Sequence, residues 1–273
     1  FIISFKGTDV SLGTQISGLI TRNHIGGVVL RADNDNFNTA ETILPDTRAM
    51  IGSLQQQVWD SYLDQADGSS NYTPLFVSIS QEGDLNPNDQ MFNGLTALPD
   101  EMAIGATWNP SLSREVGSVM GSELSALGFN LLLGPSLDVQ DVVPAEGSDE
   151  IGTRSFGGDP YWVGVMGQSY IEGLHEGSQN RLAVIAKHFP GRGSSDRPAE
   201  EEVATVRKSL EQLKQIELAP FFAVTGIAPD SAKTTDGLLL SHIRYQGFQN
   251  NIRATTSPVS FDRAALELIL GLP

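Results

Sequence analysis

The chain has 273 residues, a length that suits one large domain, and 40% of them are hydrophobic, enough for a substantial core. Acidic residues number 33 against 17 basic ones, and the formal charge of −16 repels nucleic acid and anionic membrane surfaces while tolerating a neutral substrate. There is no cysteine, which excludes disulfides, thiolate catalysis and zinc–thiolate sites, and no apolar run approaches the roughly 18 residues of a membrane-spanning helix.

Residues 1–5, Phe-Ile-Ile-Ser-Phe, form the first strand-like run, without an initiator methionine or a basic leader, so the natural start is expected upstream. A helical pattern over 14–22 follows, then a strand at 27–30 and a helix over 39–63. The polar stretch 64–73 reads as a loop holding one glycosylation-type sequon, Asn71-Tyr72-Thr73. A strand at 75–79 precedes a helix over 111–127, started by Asn109-Pro110 and stopped by Gly128. A strand at 130–133 leads to a helix over 161–175, started by Asp159-Pro160 and stopped at Gly177. Strands at 182–186 and 237–240 are each followed by a helical pattern, over 206–224 and 261–270. Such alternation, with near-continuous apolar strands, implies a parallel sheet covered by helices. Six units suit either an open doubly wound sheet or part of a barrel. The lack of a G-x-G-x-x-G turn after an early strand counts against a dinucleotide-binding sheet.

Functional-looking residues follow the strands, on the side where parallel α/β folds build their sites. Ser80, Gln81 and Glu82 follow the third strand, Ser136 and Asp138 the fourth, Lys187 and His188 the fifth, and Ser241 and His242 the sixth. A single histidine is more often structural, but several polar groups at successive strand ends converge on one mouth. No His/Asp/Glu pattern suggests a metal site. Gly191-x-Gly193-Ser194-Ser195 lacks the Lys-Ser/Thr ending of a phosphate-binding loop.

Ile25-Gly26-Gly27-Val28-Val29-Leu30, Gln81-Glu82-Gly83, Gly134-Pro135 with Leu137-Asp138-Val139, Thr153-Arg154-Ser155-Phe156, Lys187-His188-Phe189-Pro190-Gly191 and Ser241-His242-Ile243 occur in that order. With this series the chain resembles the N-terminal barrel domain of glycoside hydrolase family 3, nearest its β-N-acetylhexosaminidase-like branch. The resemblance implies an α/β fold of the (β/α)8-barrel type. It makes residues 1–273 one barrel domain, incomplete at both ends and lacking its last two strands. It also implies a carbohydrate partner, no cofactor, and a bacterial cell-envelope or secreted location. Arg154, Lys187, His188 and His242 would bind sugar hydroxyls, with Ser80, Glu82 and Asp138 as further substrate contacts.

Three features depart from the family pattern. The family nucleophile is an aspartate just after the seventh strand, so it is expected beyond Pro273, from a C-terminal continuation or a partner chain that completes the barrel. The family loop after Lys-His-Phe-Pro-Gly continues with a histidine and then an Asp-x-His dyad, whose histidine is the acid/base. Here Arg192 takes the first position and no histidine follows in the loop. Arginine does not cycle a proton. Asp196 and Glu200 are the remaining acid/base candidates if burial raises a pKa. The alternative for residues 198–202 is a solvated helix start, with Pro198 in the first turn and carboxylates at the positive end. Finally, Ser80 stands where the family commonly has aspartate, and Asp84 follows Gly83. Two functions stay open: retaining hydrolysis of a β-glucoside or N-acetyl-β-hexosaminide, or a catalytically degenerate barrel that binds glycan or acts as a scaffold.

Overall fold

The computed structural model describes residues 1–64, 72–83, 90–91, 93–142, 151–197, 203–226 and 230–271. In chain order its elements are β1 (Ile2–Ser4), α1 (Gln15–Asn23), β2 (Gly27–Val29), α2 (Ile43–Leu63), β3 (Phe76–Ile79), α3 (Glu101–Ala106), α4 (Pro110–Leu127), β4 (Leu131–Ser136), α5 (Pro160–Ser178), β5 (Ala183–Phe189), β6 (Thr205–Val206), α6 (Leu210–Gln215), α7 (Ala219–Val224), β7 (Gly237–Leu240), β8 (Arg244–Tyr245), α8 (Gln246–Gln249) and α9 (Arg263–Leu270). Asn71, Asp84, Pro198 and Glu200 lie outside the described residues.

Strands β1, β2, β3, β4, β5 and β7 make one sheet, paired in that order and parallel throughout. A doubly wound sheet reverses its strand order part-way, whereas a barrel adds each new strand to the same growing edge. The observed order is the second kind. The six strands are a curled half-barrel of the (β/α)8 type. Along each strand the pleat sends alternate residues to opposite faces. Val28, Val77, Ile79, Leu132, Val184 and Ala186 face the helices and are almost fully buried. On the other face Val29 pairs with Ser78, Leu133 with Ile185, and Lys187 with Leu239, so apolar rows give way to polar groups near the strand ends.

Helices α4 and α5 pack closely because each presents glycine to the other. A Cβ at Gly117 or Gly121 would overlap the α5 main chain at Tyr170 and Leu174, and one at Gly173 or Gly177 would overlap α4 at Arg114 and Ser118. Gly177 is therefore not the stop expected of it. The helix runs one residue further, and Gln179 closes it with a left-handed backbone. Asn109 and Asp159 cap α4 and α5 with proline in the first turn, and left-handed Gly128 ends α4, as the sequence predicts. The helix expected over 206–224 is instead a strand residue pair and two short helices. Ser209 starts α6 with a reciprocal capping box to Gln212, and α7 carries Pro220 in its first turn. Strands β6 and β8 pair to each other and, with Leu213, Leu218, Phe248, Val259 and Ile269, bury a second core beside the loop that follows β5.

Candidate active site

The cluster begins with Glu82, set at the end of β3 with its side chain 1% exposed. Gln90 accepts the backbone N–H of Glu82 and Gly83, and Gln81 exchanges two hydrogen bonds with the main chain of Met91, which fixes this turn. The Glu82 carboxylate lies 2.5 Å from Lys187 Nζ on β5 and 3.5 Å from the guanidinium of Arg154. Burial raises its pKa, but the positive charges of Lys187 and Arg154 outweigh that and hold it below the usual value. Lys187 Nζ also donates to Ser80 Oγ at 2.7 Å.

A second pair sits beside the first. Asp138, fully buried after β4, accepts from Ser136 Oγ at 2.9 Å, His188 Nδ1 at 2.7 Å and the Arg192 backbone N–H at 2.7 Å. Burial works against its charge, yet the facing His188 and the Arg192 donors lower its pKa to about 2. The His188 pKa is lowered because burial outweighs the pull of Asp138, so at neutral pH the ring is uncharged. With Nδ1–H donated to Asp138, Nε2 is the acceptor, and an Arg192 guanidinium N–H donates to it at 3.2 Å. The concave face of the sheet holds a cavity of about 410 Å3 lined by Ile2, Ile3, Ser4, Val29, Arg31, Ser80, Leu133, Arg154, Lys187, His188 and Leu239. A larger hollow of about 660 Å3 lies between the loop after β1 and α2; Asp9, Asn36 and Gln57 line it, and no residue of the cluster reaches it.

Residues 6–270 match the family model of the glycosyl hydrolase family 3 N terminal domain. The chain belongs to that family. A beta-hexosaminidase A of Pseudoalteromonas piscicida is 28% identical over 244 residues, 88% of this chain and 36% of the relative. A beta-hexosaminidase of Xylella fastidiosa (strain M23) is 30% identical over 203 residues, 72% of this chain and 54% of the relative. Among solved structures, a glycoside hydrolase family 3 beta-N-acetylglucosaminidase from Paenibacillus superposes with a TM-score of 0.80 at 28% identity, covering 98% of this chain and 44% of that one. NagZ from Neisseria gonorrhoeae has the same fold, with a TM-score of 0.76 at 22% identity, covering 98% of this chain and 69% of that one. The chain spans about half or less of the length of these curated relatives.

Within this family 3 barrel, Arg154, Lys187, His188 and Ser80 share one cavity wall. Glu82 and Asp138 stand behind that wall; their carboxylates face the cations and the imidazole rather than the cavity. His242 is not brought to the cluster: it is exposed, hydrogen-bonded to Ser260 Oγ at 2.7 Å and edge-on to Phe261. Asp196 does not gain a raised pKa. Burial pushes upward, but its bonds from the Thr205 N–H, Arg197 and Arg207 leave it lowered.

Three buried groups escaped the sequence reading. Glu101, at the first position of α3, is 2% exposed and accepts the Ser136 N–H at 3.0 Å; burial and then the charge of Glu82 raise its pKa well above the usual value, which favours the uncharged acid. Lys208 bridges Asp141 at 2.7 Å and Glu217 at 2.8 Å, and Glu217 accepts from Ser194 Oγ at 2.6 Å. Asp100-Glu101 was not singled out from the sequence, and the Ser136 N–H that Glu101 accepts lies 35 residues away along the chain. The Lys208–Glu217 pair gave no signal in the sequence.

Proposed function

We propose that this domain supplies the sugar-binding wall of a retaining β-glycosidase of the hexosaminidase-like kind, with the nucleophilic aspartate contributed by the polypeptide after Pro273. The observation that carries this reading is the buried Glu82–Lys187–Arg154 group beside Asp138–His188, at the carboxyl ends of β3, β4 and β5 in a family 3 barrel. Lys187 and Arg154 offer several N–H donors to hydroxyl oxygens, and Glu82 holds both cations in place. Asp138 fixes one tautomer of His188, so that Nε2 is its acceptor; a sugar hydroxyl would have to displace the Arg192 guanidinium that now donates to it. Glu82 and Asp138 act in this reading as positioning residues. Retaining hydrolysis then needs a carboxylate that attacks the anomeric carbon and a proton donor on the other side of the bond, about 5 Å away when both are carboxyls. Asp196 and Glu200 are the acid/base candidates, and Asp196 would have to leave its arginine partners to serve.

The second reading is glycan binding without hydrolysis. It is favoured by Arg192, whose guanidinium meets His188 in a loop that contains no histidine. Aryl β-glycoside hydrolysis by the complete polypeptide separates the two. Turnover that Lys187→Ala and Arg154→Ala abolish supports the enzyme, whereas sugar binding without turnover supports the binding module.

A further inference from the structure

The two loops that bracket His188 are fastened to one buried ion pair. Asp138, in the loop after β4, takes a hydrogen bond from His188 Nδ1, and Arg192, in the loop after β5, donates to Nε2. Beyond Asp138 in the first loop, Asp141 accepts from Lys208 Nζ at 2.7 Å. Beyond Arg192 in the second, Ser194 Oγ donates to Glu217 Oε1 at 2.6 Å. Lys208 joins the two links by donating to the same Glu217 oxygen at 2.8 Å. Glu217, in the turn between α6 and α7, is fully buried, and Lys208 is 8% exposed. Glu217 also packs on Gly191, where an added Cβ would lie 2.8 Å from the Glu217 Cβ, while Gly193 lies against the main chain of Val139.

A buried ion pair is a costly way to fill a core, and apolar side chains of the same volume would stabilise the second core as well or better. What apolar side chains do not supply is an acceptor for a hydroxyl in one loop and a donor for a carboxylate in the next. We propose that Glu217 and Lys208 are positioning residues of the candidate site. Through Ser194 and Asp141 they set the loops after β5 and β4, so that Arg192 and Asp138 hold the two nitrogens of His188. The candidate proton donor Asp196 lies on the same fastened loop, with its backbone N–H on Thr205. The part the pair plays in turnover rests on the glycosidase reading, whereas its hold on Arg192 does not. Releasing the loop acts on His188 in one direction. Moving Arg192 away removes a positive neighbour and admitting water relieves burial, and both favour the protonated ring that Asp138 faces. Lys187, the other cation near the ring, stays on Glu82.

The test follows the His188 ring by NMR titration in the complete polypeptide, with its signal identified by its loss in His188→Asn. Beside it, kcat/KM is measured against pH on whichever of 4-nitrophenyl N-acetyl-β-D-glucosaminide and β-D-glucoside is turned over faster. Ser194→Ala cuts the loop from Glu217 and leaves the ion pair whole, whereas Glu217→Gln weakens both links. In each variant the His188 pKa is expected to rise and the acidic limb of the kcat/KM profile to move up with it. On that limb kcat/KM is expected to fall by about 10- to 100-fold. The double variant should match Glu217→Gln alone, because both changes act through one contact. Gly173→Ala, which strains α4 against α5 instead, should leave the His188 titration where it was. A titration that Ser194→Ala leaves alone, or that Gly173→Ala moves as far, overturns the inference, and so does a kcat/KM profile that stays put while His188 shifts. If Glu217→Gln does not fold, Ser194→Ala decides. If the natural polypeptide hydrolyses neither glycoside, the glycosidase reading fails, and the His188 titration alone decides whether the pair holds the loop.

Discussion

Asp138→Asn is the substitution whose effect follows most directly from the geometry. The carboxylate accepts two donors at Oδ2, from Ser136 and His188, and one at Oδ1, from the Arg192 N–H. An asparagine that keeps its oxygen at the doubly bonded position turns its NH2 toward the Arg192 N–H, leaving two donors face to face. A buried donor without an acceptor costs about 1–3 kcal/mol. The remaining two bonds lose their charge assistance. Linkage gives a second figure: lowering the pKa from 3.8 to about 2 in a fully buried group corresponds to roughly 2–3 kcal/mol at neutral pH. Because the folded pKa lies below the unfolded one, that contribution is present above about pH 4 and is lost as pH falls toward 2. Urea unfolding at pH 7 is therefore expected to show the variant less stable by about 2–4 kcal/mol, and the gap to narrow by roughly 1 kcal/mol at pH 3. A variant as stable as the parent at pH 7, or a gap independent of pH, refutes the proposed role of this carboxylate.

Further outcomes follow from other contacts. Glu82→Ala leaves Lys187 and Arg154 buried without their shared anion, and a loss of about 3–5 kcal/mol is expected by chemical denaturation; a loss under 1 kcal/mol contradicts the pairing. Gly173→Ala drives a methyl group into the α4 main chain and should destabilise by about 1–3 kcal/mol or more, read as a fall in thermal midpoint, whereas Gly52→Ala, exposed within α2 with open space around the added Cβ, should stabilise by about 0.5–1 kcal/mol. The pKa of His175 is raised, chiefly by its hydrogen bond with Asp236, so its contribution to stability is whole below about pH 6.5 and fades as pH rises through the folded value. Asp236→Asn should flatten that part of the stability–pH curve, and an unchanged curve rules the pair out as its source. Conversely, His188 is held neutral by burial, so acidification below about pH 6.5 should weaken the fold around β5, seen as faster amide exchange there.

Much of this fold was legible because the helix signals are local. Asn109-Pro110 and Asp159-Pro160 need only their own neighbours to cap a helix, and the structure uses both. The barrel itself was not legible from periodicity: six strand–helix units fit two architectures, and only the strand order, or the family motifs, separates them. The 206–224 stretch misled because apolar spacing continued across a break that Ser209 and Pro220 announce. Site residues at strand ends were readable from position, since Lys187, His188 and Ser80 must lie at the mouth wherever the strands run in parallel. What position does not reveal is which way a side chain turns. Asp138 and Glu82 turned from the cavity to hold its cations and imidazole, and His242 turned to Ser260. Glu101 and Glu217 were hidden because a buried carboxyl in a short element looks, in sequence, like a solvated one.

The central claim is tested most directly by trapping the covalent sugar–enzyme intermediate. The complete polypeptide would be incubated with a 2-deoxy-2-fluoro-β-glucoside that carries a good leaving group, and its intact mass and peptide map recorded. The account predicts a mass increase of one fluorosugar, on an aspartate C-terminal to Pro273, that Lys187→Ala slows or prevents. An unmodified polypeptide that also fails to hydrolyse aryl β-glycosides contradicts it and leaves glycan binding as the function of this barrel.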